Sequence, residues 1–192
     1  MTTAAVVLAA GGGRRYGKPK ALVEFEGSLL VERAVRTARA ACDVVLVVLG
    51  AQAVDVWRTA DLSGATVLAN AEWETGMASS LRTGLDGLRG LPGTVDAALI
   101  TLVDMPGMTP EALTAVAAHA GPGALAVATY EGIRGHPVLL GRDHWAGVIA
   151  TATGDEGARR YLADRDVTEV DCTGLADPTD LDVPPPGVRS TS

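Results

Sequence analysis

The feature that most constrains the fold of this chain is its opening apolar run. Residues 3–10 read TAAVVLAA, and three glycines, Gly11, Gly12 and Gly13, follow directly. A short run without polar alternation, closed by a turn signal, is typical of a strand buried on both faces of a parallel sheet. The chain is therefore expected to build an α/β fold around this first strand.

Further segments repeat this strand pattern along the chain. They are short and apolar, and turn-forming residues bound them. Residues 95–102, for example, read VDAALITL and are closed by Val103-Asp104-Met105-Pro106. The remaining predicted strands span residues 43–49, 65–69, 124–129, 137–140 and 167–171.

Segments with helical periodicity lie between these strands. Thr109-Pro110 is the clearest start signal, since Thr caps a helix and Pro at the first helical position loses no hydrogen bond. Ser28 is predicted to cap one helix, and Ser79 or Ser80 another. The predicted helices cover residues 28–41, 53–60, 79–89, a stretch from 109 onward, 143–150 and 156–164.

This alternation of strands and helices predicts a single-domain, doubly wound three-layer α/β/α fold with a mostly parallel sheet. The chain has 192 residues, enough for one such domain. Residues 1–183 are assigned to the domain. Residues 184–192, which begin with three prolines, are assigned to a Pro-rich flexible tail.

Charge and cysteine content argue against several classes of function. The chain carries 16 Lys and Arg against 23 Asp and Glu, a net charge of −7, so it lacks the broad basic face that nucleic-acid binding requires. No apolar run approaches the length of a membrane span, and the N-terminus lacks the positive charge of a secretory signal. The two cysteines, Cys42 and Cys172, form no ligand cluster. We expect a cytoplasmic protein with neither a membrane nor a nucleic-acid partner.

The turn after the first strand carries most of the functional information. It reads GGGRRYGKPK over residues 11–20. Glycines at this place let backbone N–H groups converge on an anion, because no Cβ blocks its approach. The cluster of Arg and Lys in an acidic chain adds charge suited to phosphate. The turn therefore predicts a nucleoside triphosphate site, although neither GxGxxG nor a Gly-Lys-Ser/Thr ending is present.

The segment LAAGGGRRYGKPKAL resembles the signature LAAGxSxRxGxPKxL of the MobA/MocA-like nucleotidyltransferases, a family related to the molybdenum-cofactor enzymes. The resemblance implies a Rossmann-like fold of the nucleotide-diphospho-sugar transferase type with an NTP transferase domain. Later segments match the family in order: base-side residues 70–81, the metal turn 103–106, acceptor-side residues 135–138 and 154–159, and the closing segment 179–182.

The resemblance also implies roles for charged residues. Lys20 is expected beside the α-phosphate and Arg15 on the β- and γ-phosphates, with Asp104 as the third catalytic residue. Asp104 also follows a buried strand, where open α/β sheets bind ligands. Asp104 and Asp182 are expected to hold Mg²⁺, with Asp180 as an alternative to Asp182, because Mg²⁺ takes one or two carboxylates plus substrate phosphates. After Asp182, VPPP replaces the family's Thr-Pro-Glu-Asp.

The binding residues implied by the resemblance fall into two groups. Acceptor binding is expected at Gly135 and at His136, which the sequence places in a loop. Trp73 is a candidate wall for the base pocket. Nucleotide binding is expected at Leu8, Ala9, Ala10, Gly11, Gly12, Gly13, Arg15, Lys20, Asn70, Gly76 and Ser80.

The implied reaction moves a nucleoside monophosphate from an NTP to a phosphate-bearing acceptor and releases pyrophosphate. The opening Ala-Ala-Gly resembles the cytidylyl-transferring branch, which favours CTP and molybdopterin as substrates, with a molybdoenzyme receiving the product. Two alternatives stay open: an NAD(P)H-dependent oxidoreductase of a quinone-like pigment, or a nucleotide-binding cofactor chaperone without turnover. No GxGxxG or flavin motif supports the first alternative, and the altered closing motif favours the second.

Overall fold

The structure, a computed structural model, describes residues 1–13, 15–91 and 93–181. Within these residues the strands are β1 (Thr3–Ala9), β2 (Glu24–Phe25), β3 (Ser28–Leu29), β4 (Val44–Leu49), β5 (Thr66–Ala69), β6 (Ala97–Leu102), β7 (Leu125–Tyr130), β8 (Ile133–Gly141) and β9 (Thr168–Asp171). The α-helices are α1 (Leu30–Ala41), α2 (Ala53–Thr59), α3 (Met77–Arg89), α4 (Pro110–Ala117), α5 (Trp145–Thr151) and α6 (Arg159–Leu162). Single 3₁₀ turns lie at Lys20–Leu22, Trp73–Thr75 and Arg142–His144.

The described residues form one central seven-stranded sheet in the order β5-β4-β1-β6-β8-β7-β9. β1 lies between β4 and β6 and is parallel to both, with Val6 opposite Leu46 and Ile100. β8 is antiparallel to both of its neighbours, whereas β9 is again parallel to β7. The predicted single-domain fold with a mostly parallel sheet is confirmed.

Residues of β1 alternate between two apolar layers. Ala5 and Val7 face the layer formed by α1, α2 and α4. Val6 and Leu8 face the layer formed by α3, α5 and α6. Because β1 has apolar neighbours on both faces, every position of its run must be apolar, which explains the missing polar alternation. Among the described residues, no helix combines the length and apolar character needed to cross a bilayer.

Three predicted local features are wrong. Ser28 does not cap α1, because it lies in β3 and Leu29 is the residue that precedes the helix. α3 begins at Met77, with Gly76 as its cap residue, so neither Ser79 nor Ser80 caps it. Both serines lie inside the first turn of the helix and are buried. The start of the helix is instead fixed by hydrogen bonds to Gly154 and Asp155 in another loop. His136 lies within β8 rather than in a loop, since Glu131 and Gly132 take positive φ angles and close a hairpin between β7 and β8.

The small β2–β3 hairpin was not predicted. Its two strands pair over Glu24 to Leu29 and Phe25 to Ser28. Glu26 and Gly27 take φ angles of 49° and 79°, as a two-residue hairpin turn of type I′ requires. The strands are too short to show the alternation of apolar and polar residues that marks a β-strand. Only the turn residues Glu26 and Gly27 could have indicated the hairpin. Arg14, Asp182 and the proposed tail of residues 184–192 lie outside the described residues.

Candidate active site

The glycine-rich turn folds back on itself at the carboxyl end of β1. Gly13 has a φ of 57°, and a Cβ on it would lie 1.9 Å from the Lys18 carbonyl oxygen. The Tyr16 N–H donates to the Gly13 carbonyl oxygen over 2.8 Å. Only glycine fits at this crossing, because both the backbone angle and the close approach exclude a side chain.

Lys20 and Asp104 meet at the end of this turn. The Lys20 Nζ lies 2.6 Å from the Asp104 Oδ2, and the two side chains are 18% and 19% exposed. They are 84 positions apart in sequence. They meet because β1 and β6 are adjacent parallel strands that end at the same edge of the sheet, where the Val103 N–H donates to the Leu8 carbonyl oxygen.

The turn that carries Asp104 is held from two sides. Arg33 on α1 donates from Nη2 to the Pro106 carbonyl oxygen over 3.2 Å. The closing segment runs along the other side, where the Leu181 N–H donates to the Asp104 carbonyl oxygen over 2.8 Å. This contact brings the segment that ends at Asp182 to the candidate metal residue, although Asp182 itself is not described.

The base-side segment is organised around a buried amide. Asn70 is 5% exposed, and its Nδ2 donates to the Ser79 and Ser80 hydroxyl oxygens over 2.8 and 3.0 Å. Its Oδ1 accepts from the Glu72 N–H over 2.9 Å. The predicted base-contacting residues Asn70 and Ser80 thus contact each other and fix the path of residues 70–80.

Trp73 lies against the glycine-rich turn. A Cβ on Gly12 would lie 2.9 Å from Cζ3 of the Trp73 indole, and one on Gly50 would lie 2.5 Å from the Trp73 Cβ. Ala10 is 5% exposed, and its carbonyl oxygen accepts from the Ala51 N–H. Because Gly12 and Gly50 have no side chain, Trp73 packs directly on their backbone. Trp73 is the residue predicted to form a wall of the base pocket.

A cavity of about 850 Å³ lies next to the turn that carries Asp104, with Leu102 and Met105 in its lining. Its rim includes the predicted acceptor residues Gly135 and His136, together with the charged residues Asp155 and Arg159. Leu8, predicted to bind nucleotide, is among the apolar residues that line this cavity. The floor is formed by the apolar side chains of Leu8, Met77, Leu81, Ile100, Leu102, Val127 and Val138.

His136 is held as a neutral side chain at this cavity. Burial lowers the pKa of His136 to about 4, while the Asp104 carboxylate acts in the opposite direction and Arg159 in the same direction. Tyr130 donates from its hydroxyl to the His136 carbonyl oxygen over 2.9 Å. Burial raises the pKa of Tyr130 to about 12, so this phenol stays protonated and keeps donating.

Sequence reasoning did not single out three side chains of this site. Tyr130 ends an apolar strand and carries no motif. Asp155 and Arg159 belong to a segment recognised only as acceptor-side. Arg134 also lines the cavity, but its guanidinium is paired with Glu169 over 2.7 Å. Arg159 therefore differs from Arg134, because no carboxylate pairs with it among the described residues.

The donor chemistry at Asp104 fits a divalent metal ion. Hard cations such as Mg²⁺ bind carboxylate oxygens, use one or two of them, and complete their shell with substrate phosphates. Asp104 supplies such an oxygen beside the glycine-rich turn. Across the described ranges, no cluster of three His, Cys, Asp or Glu side chains is present.

A family model describes this architecture. The model of the MobA-like NTP transferase domain matches residues 5–170, which include β1, the glycine-rich turn and Asp104. The chain belongs to this nucleotidyltransferase family. The expected family membership is thus confirmed, and nucleotidyl transfer is the activity that characterises it.

Relatives with known structures or names share most of the MobA-like chain's length. Nicotine blue oxidoreductase of Paenarthrobacter nicotinovorans is 34% identical over 188 residues, covering 92% of this chain and 90% of the relative. The Rv0371c homologue of Mycobacterium sp. strain JC1 is 30% identical with a TM-score of 0.80, covering 94% of this chain and 90% of that chain. Rv0371c of Mycobacterium tuberculosis H37Rv in complex with manganese is 25% identical with a TM-score of 0.79, covering 95% and 94%.

Proposed function

We propose that this MobA-like protein is a Mg²⁺-dependent nucleotidyltransferase that moves a nucleoside monophosphate from an NTP to a phosphate-bearing acceptor. CTP is the favoured nucleotide and molybdopterin the favoured acceptor. The observation that carries the proposal is the Lys20–Asp104 pair, 2.6 Å apart. The pair lies at the end of a turn suited to phosphates, and Met105, the residue after Asp104, lines a cavity able to hold a second substrate.

The residues suit an in-line displacement at phosphorus. An oxygen of the acceptor phosphate forms a bond to the α-phosphorus, and the bond from that phosphorus to the bridging oxygen of pyrophosphate breaks. No base is needed, because the acceptor phosphate is already ionised. Beside the α-phosphate, Lys20 offsets negative charge on the attacking oxygen and on the transition state, and this kind of fixed electrostatic contact supplies most of the catalysis in phosphoryl chemistry.

The metal residues act together with Lys20. When bound at Asp104 and Asp182, Mg²⁺ would screen the phosphate charges and orient them. Asp104 also holds Lys20 at the edge of the sheet through their ion pair. Arg15 is proposed to bind the β- and γ-phosphates, since an Arg fork matches phosphate oxygens.

The cavity supports a flat, largely apolar acceptor with one anionic group. A volume of about 850 Å³ falls in the range of about 300–1,000 Å³ common for small-molecule sites. His136 is neutral there, so it contributes a hydrogen bond without a charge. Arg159 is left to supply positive charge at the rim. A pterin carrying a phosphate shares two of these properties, since its ring system is flat and its phosphate is anionic, and its ring edge would use the hydrogen bond from His136.

One observation favours a second candidate function. The relative that is 34% identical is named Nicotine blue oxidoreductase, and a flat aromatic pigment would also fit an apolar floor. We therefore keep an NAD(P)H-dependent reduction of such a pigment as the alternative. Hydride transfer needs a nicotinamide bound beside the pigment, whereas nucleotidyl transfer needs the triphosphate at the glycine-rich turn.

Pyrophosphate release tests the proposal. CTP, GTP, ATP and UTP are each incubated with Mg²⁺, with and without molybdenum cofactor, and NADPH absorbance with a quinone-like pigment is followed in parallel. Release with CTP that depends on the cofactor supports the proposal. Release with another NTP alone would overturn the base preference, and NADPH consumption without pyrophosphate release would favour the alternative.

A further inference from the structure

The loop that contains Gly154 and Asp155 is hydrogen-bonded to the start of helix α3. The Ala78 N–H donates to the Gly154 carbonyl oxygen over 2.9 Å, and the Met77 N–H donates to the Asp155 Oδ1 over 3.2 Å. These are amides of the first helical turn, which have no partner within a helix. A loop about 75 residues away therefore caps α3, in place of the residue that precedes it.

Gly76, the residue before α3, lies directly against the 154–155 loop. Its φ is 110°, and a Cβ on it would lie 2.6 Å from the Gly154 carbonyl and 2.9 Å from the Asp155 Oδ1. On its other side, the Gly76 carbonyl oxygen lies 2.9 Å from the Ser79 hydroxyl, which also contacts Asn70. The buried base-side network and the 154–155 loop are thus joined through Gly76.

The same loop shapes the acceptor cavity. Asp155, Glu156 and Gly157 line it, as does Met77 from the first turn of α3. Glu156 is a neighbouring carboxylate, but no hydrogen bond or ion pair of its side chain is found among the described residues. The two adjacent acids therefore differ in one respect: Asp155 reaches α3 and Glu156 does not.

We propose that Asp155 is a positioning residue that aligns the nucleotide site with the acceptor site. This inference rests on the proposed function, because it assumes that residues 70–80 bind the nucleotide. Asp155 lies in the wall of the acceptor cavity, yet its carboxylate fixes the amide of Met77 beside Gly76. Its removal loosens the base-side segment, so the effect appears in nucleotide affinity.

Binding of the nucleotide alone tests this prediction without turnover. Each of the four NTPs is titrated with Mg²⁺ into wild type, Asp155→Ala, Asp155→Asn and Glu156→Ala by calorimetry. Loss of a helix cap predicts that Asp155→Ala weakens NTP binding about fivefold. Asp155→Asn keeps an acceptor oxygen and should recover most of that affinity. Glu156→Ala removes the same charge from the rim and should change affinity less than about twofold.

The reciprocal variant tests the contact from the other side. Gly76→Ala is expected to push the 154–155 loop away, because its Cβ would overlap the Gly154 carbonyl. We expect the KM for molybdenum cofactor to rise about fivefold, although Gly76 is not part of the cavity wall. Thermal melting shows whether Asp155→Ala folds. If it does not, the Gly76→Ala variant tests whether the two sites are aligned through this contact.

The outcomes separate this inference from the proposed function. NTP binding without pyrophosphate release overturns the proposed function and leaves calorimetry to decide on Asp155. Pyrophosphate release with equal NTP affinity in wild type and Asp155→Ala overturns the role of Asp155 alone. Equal weakening by Glu156→Ala also overturns it, because charge would then explain the effect. Absence of NTP binding by wild type overturns both.

Discussion

The nucleotide side and the acceptor side of Asp104 are built differently. The nucleotide side lies at the carboxyl ends of the parallel strands β1, β4 and β5, and consists of backbone crossings and the buried Asn70 network. The acceptor side lies over the antiparallel pairs of β8 and is a cavity of about 850 Å³. We propose that the fixed polar geometry of the first side binds the NTP, whereas the shape of the cavity selects the acceptor.

Asp104 pairs with Lys20 and is the proposed metal ligand, so its loss should have the largest effect. Asp104→Asn keeps the shape and an oxygen that accepts from Lys20, but removes the negative charge needed for the metal. We expect kcat for pyrophosphate release to fall about 10³-fold with little change in melting temperature. Wild-type turnover in this variant would show that the metal is held elsewhere.

Lys20→Ala should separate catalysis from binding on the nucleotide side. The ammonium is expected to stabilise the transition state more than the bound NTP, so kcat should fall about 10²-fold while the Kd for NTP rises far less. Steady-state kinetics combined with calorimetry measures both quantities. Equal losses in kcat and affinity would instead make Lys20 an ordinary binding residue.

His136 should make stability on the acceptor side depend on pH. Its pKa is about 4 in the folded chain against an ordinary value of about 6.5, so the unfolded chain takes up a proton first as pH falls. Stability is therefore lost between about pH 6.5 and pH 4, by about 2 kcal/mol once partial exposure of the ring is allowed for.

The matched variant for this pH effect is His136→Asn, which cannot take up that proton. Urea unfolding of both proteins at pH 7, 5.5 and 4.5 should show a smaller loss of free energy in the variant. Parallel curves for the two proteins would mean that other groups cause the acid sensitivity.

Gly13→Ala should disturb the nucleotide side through its backbone. The positive φ and the overlap with the Lys18 carbonyl predict a cost of about 1–3 kcal/mol. Gly11→Ala is the control, because a Cβ there meets no atom within 4 Å. Differential scanning calorimetry should show a lower melting temperature only for Gly13→Ala. If Gly11→Ala raises the KM for NTP at unchanged stability, the open space at Gly11 serves the phosphates.

Val138→Phe should change the acceptor side alone and gives the smallest effect. The larger ring would occupy part of the cavity floor, so the KM for molybdenum cofactor should rise about tenfold. The KM for NTP should stay within a factor of two, and Val138→Ala serves as the volume control. A similar rise in both KM values would contradict the assignment of this cavity to the acceptor.

Predictability depended on whether a feature is local in the sequence. Lys20 and Asp104 could be chosen from the sequence because both lie in segments that resemble the family's motifs, and Asp104 also follows a buried strand of recognisable pattern. The strand that carries His136 was placed too short, since Gly135 and Pro137 interrupt its apolar run. The start of α3 was placed two residues late, because its cap is supplied by Asp155 and Gly154 from a distant loop. No local pattern contains that contact.

The sequence by itself determined the parallel core and the glycine-rich turn, because apolar runs and glycines act through local sterics and burial. It also placed a carboxylate at the end of β6. Only the tertiary structure decided that Lys20 and Asp104 pair, that Asn70 is occupied by Ser79 and Ser80, and that side chains from separate segments enclose a cavity. Those features depend on contacts between residues far apart in the chain, and such contacts exist only after the sheet has formed and its helices have packed.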